Sequence, residues 1–192
     1  MGYIRVITGN LKGRIIPFSN KKFDNADITP QKVKGAVFSM LGEFLTGRGF
    51  LDIFSGSGQI GIEALSRGAD PVVLNEQDRH RFQFIASFLQ DIGQAGKPVL
   101  LNLSWSKALE HLASRDFKFY CIFLDPPYQK KQGGILQYSS ILKKIGDCGV
   151  LEAGGKIVIQ HFSASHLDEE AGPYHLETVK KYGTTSLSFY RT

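Results

Sequence analysis

Three observations predict an α/β fold built on a mostly parallel sheet. Short apolar runs alternate with helix-period segments four times from residue 49 onward, in the order FLDIF, PVVLNE, PVLLNL and FYCIFLD, and KIVIQHF closes the series. Strands buried on both faces read as unbroken apolar runs, and a repeated strand–helix order yields parallel strands with helices on both faces. Glycines crowd the turn after the first run (SGSGQIG), as expected where a strand passes directly into a helix. The tail HLETVKKYGTTSLSFYR changes style and reads as two strands around a Gly-Thr-Thr turn. The prediction is a Rossmann-like, seven-stranded, mostly parallel sheet with one antiparallel strand near the C-terminal end, preceded by a small N-terminal β-hairpin and helix.

That N-terminal part occupies residues 1–48, and the α/β body residues 49–192. Residues 3–8 and 14–18 are β-rich and flank the turn-like GNLKG, which places Lys12 at a hairpin tip. Thr29 before Pro30 reads as a capping side chain ahead of a first-turn proline. Val33, Val37, Met40, Leu41 and Phe44 then recur at helical spacing, predicting an amphipathic helix over 30–45. A second, Phe-rich helix is predicted over about 79–93. No internal repeat or low-complexity segment interrupts the pattern.

Composition bounds the function. The 192 residues, 42% hydrophobic and 21% charged, suffice for one ordered domain. With no apolar run near transmembrane length and no signal-like start, a cytoplasmic protein is expected. Cys121 and Cys148 form no disulfide framework, and the five histidines show no ligand spacing, so no metal is expected. The net charge of +5 is confined to residues 1–34, where seven basic side chains face Asp24 and Asp27 while the remainder balances at 16 against 16. A basic arm on a neutral body suits a polyanion such as a phosphate backbone. Arg5, Lys12, Arg14, Lys32 and Lys34 are the candidate contacts for RNA.

The segment LDIFSGSGQIGIEALSRG places Gly56, Gly58 and Gly61 between a strand and a helix, in a Gly-x-Gly-x-x-Gly spacing that lets a ligand approach the backbone. Phe54, Ser55 and Ser57 belong to the same loop. Taken alone, the spacing fits a dinucleotide as well as other nucleoside ligands. Asp52 stands in an otherwise apolar strand, where an ionised group is costly without a partner. It serves either a cationic ligand, such as the sulfonium and ammonium of S-adenosylmethionine, or the loop amides. Glu76 ends the second strand, where an acid accepts from the ribose hydroxyls of either ligand type.

FYCIFLDPPYQKK carries the chemistry. Two prolines after Asp125 remove two amide donors, so this strand end presents acceptors only. An exocyclic amine on a base is a weak nucleophile because its lone pair is delocalised. Acceptors on its N–H bonds, here Asp125 and the carbonyl of Pro126, localise that pair, with Pro127 fixing the turn. Tyr128 is placed to stack on a base turned out of its helix. Asp125 also borders the expected cofactor.

These motifs, with RVITGNLKGRII, TPQKVKGAVFSML and YGTTSLSFYR, resemble the bacterial methyltransferases of N2 of a guanine in small-subunit (16S) ribosomal RNA, the RsmD type, over residues 4–191. The resemblance implies a class I S-adenosylmethionine-dependent enzyme acting on 16S rRNA or the small ribosomal subunit, and nothing in the sequence demands more than a monomer. Two departures stand out. The family's acid after the third strand is replaced by Leu103, Ser104, Trp105 and Ser106, which moves the adenine contact to Ser104 or Trp105. Arginines of the family's N-terminal helix are Lys32 and Lys34 here, keeping charge but not bidentate geometry. Asp-Pro-Pro-Tyr alone also fits adenine N6 or cytosine N4 as target, the basic arm a non-catalytic RNA-binding module, and the glycine loop an NAD-linked oxidoreductase.

Overall fold

The computed structural model describes residues 4–19, 23, 28–42, 45–94, 97–127 and 138–192. At the N-terminus, β1 (Ile4–Arg5) and β2 (Ile15–Ile16) pair antiparallel. The ladder is shorter than 3–8 and 14–18 suggest because residues 8–13 are spent in tight turns. Helix α1 (Gln31–Leu41) stops before residue 45, where Gly42 takes a φ of 70° and its N–H bonds the carbonyl of Phe38. Its start also departs from expectation. Pro30 holds the cap position in an extended conformation with no side-chain cap bond, and Thr29 is turned toward Asp125 instead.

The body runs β3 (Phe50–Asp52), α2 (Gln59–Ser66), β4 (Val72–Asn75), α3 (Arg79–Asp91), β5 (Val99–Leu101), α4 (Trp105–Ala113), β6 (Phe119–Leu124), α5 (Tyr138–Cys148) and β7 (Leu151–Phe162). Strands β8 (Glu170–Ala171), β9 (Tyr174–Tyr182) and β10 (Thr185–Arg191) complete it. The sheet order is β5-β4-β3-β6-β7-β10-β9-β8, with β3 to β7 parallel and β10 antiparallel to both neighbours. This is the predicted seven-stranded arrangement plus a two-residue edge strand, β8, which the sequence pattern is too short to signal. The order reverses between β3 and β6, so the helices after them leave on opposite faces and a crevice opens above the strand ends.

Each face of the sheet buries its own apolar cluster. One contains Val33, Val37, Ile62, Phe50, Leu74, Ile85 and Phe189, and it extends into Ile4, Val6 and Ile16 of the hairpin. The other packs Leu109, Leu112, Ile141 and Ile145 of α4 and α5 against Leu51, Ile122 and Ile157. Gly61 lets α2 lie close on the sheet, since a Cβ there would stand 2.6 Å from the Leu74 side chain.

The hairpin is fastened by a carboxylate with no access to solvent. Glu63 of α2 accepts from the N–H groups of Ile7 (2.8 Å) and Thr8 (3.1 Å), bonds Arg67 Nε at 3.0 Å, and lies 3.5 Å from Lys34 Nζ. Lys34 also donates to the Arg5 carbonyl at 2.6 Å. Lys34 is therefore withdrawn from the expected RNA contacts, because it is fully buried and its charge is spent on Glu63. Burial pulls its ammonium below the usual lysine range, and Glu63 opposes that pull. Glu63→Ala would leave a buried ammonium without its counter-charge, and is expected to cost about 3–5 kcal/mol in denaturant unfolding. A loss under about 1 kcal/mol would show that Lys34 finds water or another partner.

Candidate functional site

A cleft of about 730 Å³ opens above the C-terminal ends of β3, β4 and β6. Each strand brings one carboxylate to it. Asp52 is the last residue of β3, Glu76 follows β4 and Asp125 follows β6. The loop from Ile53 to Gly58 forms the floor between them, with Phe54, Ser55, Gly56 and Ser57 lining the cleft. Its shape follows from its glycines. Gly56 and Gly58 take φ of 53° and 77°, which a side chain would resist, and space at Gly56 is open to at least 4 Å around its absent Cβ.

Asp52 is 1% exposed, and its two oxygens are differently placed. Its Oδ2 accepts from the N–H of Gly61 at 3.1 Å in the first turn of α2, and its Oδ1 is buried with no hydrogen-bond partner. Burial pushes this carboxyl up to about 8; the Gly61 bond works against that shift, and Asp125 and Glu76 add to it. Glu76 accepts from the N–H groups of Gly56 (2.7 Å) and Asp78 (2.8 Å), one on each oxygen. Burial raises it too, while those two amides hold it down. A carboxylate oxygen has two lone-pair directions, so each Glu76 oxygen retains acceptor capacity beside the cleft.

Asp125 Oδ2 receives Gln160 Nε2 at 2.7 Å and Thr29 Oγ1 at 3.4 Å. Pro126 and Pro127 line the cleft beside it, and Trp105 closes the wall at the start of α4. Tyr128 lies outside the described residues. Gly58 and Ser104 are not among the lining residues; Gly58 instead occupies the left-handed cap of α2, and Ser104 precedes α4. Arg5, Lys12, Arg14 and Lys32 are exposed.

Sequence reasoning missed Thr29 and Gln160 as neighbours of Asp125, and Asn75, Asp78, Arg79 and Arg81 on the cleft wall. A signal existed for Gln160, since it is a polar residue inside the apolar run KIVIQHF, the same anomaly that singled out Asp52. Thr29 carried a misleading one, because Thr before Pro reads as a cap.

The relatives and solved structures that share this fold place the chain among the methyltransferases. The family model described as "Conserved hypothetical protein 95" matches residues 4–191, and the chain belongs to that family, the RsmD type that its motifs resemble. The Bacillus subtilis (strain 168) protein YlbH, whose name assigns it provisionally to the rRNA methyltransferases, is 33% identical over 98% of both chains. Ribosomal RNA small subunit methyltransferase D of Escherichia coli (strain K12) is 28% identical over 99% of this chain and 90% of its own. The solved structure of yhhF from Escherichia coli, described provisionally as a methyltransferase, superposes with a TM-score of 0.79 at 28% identity, covering 98% of this chain and 97% of that one.

The raised Asp52 has a consequence for stability. The folded chain keeps this proton up to about pH 8, whereas an unfolded aspartate releases it near 3.8. Between those values the folded state binds more protons, so this residue's contribution makes stability fall as pH rises across the window. Asp52→Asn is expected to remove that component of the slope in unfolding titrations of the ligand-free protein. An unchanged slope would place the ionised form of Asp52 in the folded state throughout.

Proposed function

We propose that this chain transfers a methyl group from S-adenosylmethionine to the exocyclic N2 amine of a guanine in 16S ribosomal RNA of the small ribosomal subunit. The observation that carries the proposal is one cleft lined by Asp125 and Pro126 after β6, Asp52 at the end of β3 and Glu76 after β4. The methyltransferase names of the relatives and the RsmD-type family support it.

The residues present fit the cofactor. Asp52 offers a buried oxygen without a partner, suited to a cation, and the open space at Gly56 admits a ligand against the backbone. Glu76 would take the ribose hydroxyls and Trp105 the adenine face. When bound, S-adenosylmethionine supplies an electrophilic methyl on a sulfonium. The chain's own contribution is to the nucleophile. Asp125 and the Pro126 carbonyl accept the N–H bonds of the base's amine and draw its lone pair out of conjugation and toward the methyl. The positive charge that develops on the amine as it attacks would be stabilised by the Asp125 carboxylate; the methyl's bond to sulfur breaks as its bond to nitrogen forms, and the surplus proton then passes to water. Tyr128 would cover the flipped base.

The N-terminal segment, residues 1–48, is the RNA-docking part in this reading, with Arg5, Lys12, Arg14 and Lys32 as its phosphate contacts. An rRNA substrate places the reaction in the cytoplasm, and no step calls for a second copy of the chain. Among the described residues no helix is long and apolar enough to cross a membrane.

Two outcomes are expected. Asp125→Ala should slow single-turnover methyl transfer about 100- to 1000-fold while the cofactor still binds, because the lost interaction strengthens only as the amine attacks. Asp125→Asn, which keeps an acceptor oxygen, should lose less; if it is as slow as alanine, Asp125 is a general base rather than an acceptor. Replacing Lys12, Arg14 and Lys32 with alanine should flatten the salt dependence of RNA binding by roughly 0.7 per lost contact on single strands and leave cofactor affinity alone. An unaltered slope in filter binding would count against this segment as the docking surface.

A further inference from the structure

Gln160 stands near the C-terminal end of β7, 4% exposed, in surroundings that do not suit an amide. Its partner on β10 is the fully buried Leu187, and Val158 and Phe123 belong to the same apolar cluster. The parallel register Leu124↔Ile159 brings Gln160 beside Asp125, where Nε2 donates to Oδ2 at 2.7 Å. A carboxylate accepts but does not donate, so the amide cannot be reversed: its nitrogen must face Asp125. Its oxygen is then committed to the other direction, where it is buried and has no hydrogen-bond partner. Buried polar atoms in native proteins are almost always paired, and an exception calls for an explanation.

The sheet order says what the missing partner is. The glycine loop and Glu76 stand over β3 and β4, whereas β7 lies on the far side of β6. Gln160 stands behind Asp125 and is not among the residues that line the cleft, so a donor reaching its oxygen from beyond Asp125 comes from the side of the methyl acceptor rather than of the cofactor. We propose that Gln160 is a specificity-determining residue, whose amide nitrogen holds Asp125 and whose amide oxygen accepts the ring N1–H of a guanine as Asp125 engages the adjacent N2 amine. The proposal rests on the guanine reading above and gives it a physical cause. Guanine presents two neighbouring donors, N1–H and N2–H. Adenine has a lone pair at N1 beside its N6 amine, and cytosine has one at N3 beside its N4 amine. Either lone pair would face the lone pairs of the Gln160 oxygen, and a site built to receive a donor rejects a ligand that lacks one.

The test uses full-length protein, radiolabelled S-adenosylmethionine and small-subunit 16S rRNA, with digestion to nucleosides after single-turnover transfer. Gln160→Leu, similar in volume but unable to bond, should transfer at least about a hundredfold more slowly. Its cofactor affinity by calorimetry should match the unsubstituted protein. Gln160→Glu restores both bonds in one protonation state only. Two carboxyls at this distance share one proton; in that state the glutamic acid donates to Asp125 and offers its carbonyl to the base, as the amide does. Its rate should approach that of the unsubstituted protein near about pH 6 and fall away from it toward about pH 9, where the shared proton is lost. A Gln160→Leu rate equal to that of the unsubstituted protein, or a Gln160→Glu profile parallel to it, would overturn the assignment and leave the guanine reading standing. Label recovered from the unsubstituted protein as N6-methyladenosine or N4-methylcytidine would overturn both.

Discussion

A single buried carboxylate, Glu63, joins the two ends of this molecule's logic. It sits on the helix that begins at the glycine loop, and it receives two backbone N–H groups from the chain that follows β1, together with Lys34 and Arg67. A carboxylate sealed from water is tolerable only when its lone pairs are taken, and here they are taken by the N-terminal segment together with Arg67 at the end of α2. The hairpin and α1 are thus clamped to α2. Thr29, two residues before α1, comes within 3.4 Å of Asp125, some 96 positions along the chain. The N-terminal segment and the strand end that carries Asp125 are parts of one packed unit, because one apolar cluster runs through both.

The cleft stores electrostatic cost where a ligand can relieve it. Asp52, Glu76 and Asp125 converge from three neighbouring strand ends, and the first two have raised pKa values because burial penalises their charge. Glu76 is steadied by two loop amides, which shape the loop as much as they satisfy the acid. Asp52 is only half satisfied, with one oxygen on Gly61 and one without a partner. Asp125 is oriented by a donor from β7 that is itself half satisfied. Unpaired atoms of this kind are unfavourable in the empty protein, and each gains when a complementary charge or donor arrives.

What the sequence determined by itself was everything written in local or short-period terms. Unbroken apolar runs of strand length gave the parallel sheet, a glycine cluster after the first run gave the loop, and two prolines after Asp125 gave an acceptor-only strand end. Asp52 and Glu76 were legible because an acid in or after an apolar strand contradicts its surroundings. Tertiary structure alone decided which side chains meet. Lys34 had the composition of an RNA contact and became the partner of Glu63, 29 residues away, since the buried side of α1 is fixed by what it packs against. Thr29 had the local signature of a cap, yet the helix begins after Pro30 and the hydroxyl turns to a strand end. Gln160 acquired its role from the pairing of β6 with β7, a register set by burial on both faces of the sheet. Periodicity and capping depend on neighbours within a turn or two, whereas these contacts depend on how whole elements close over a shared core, which no window of sequence contains.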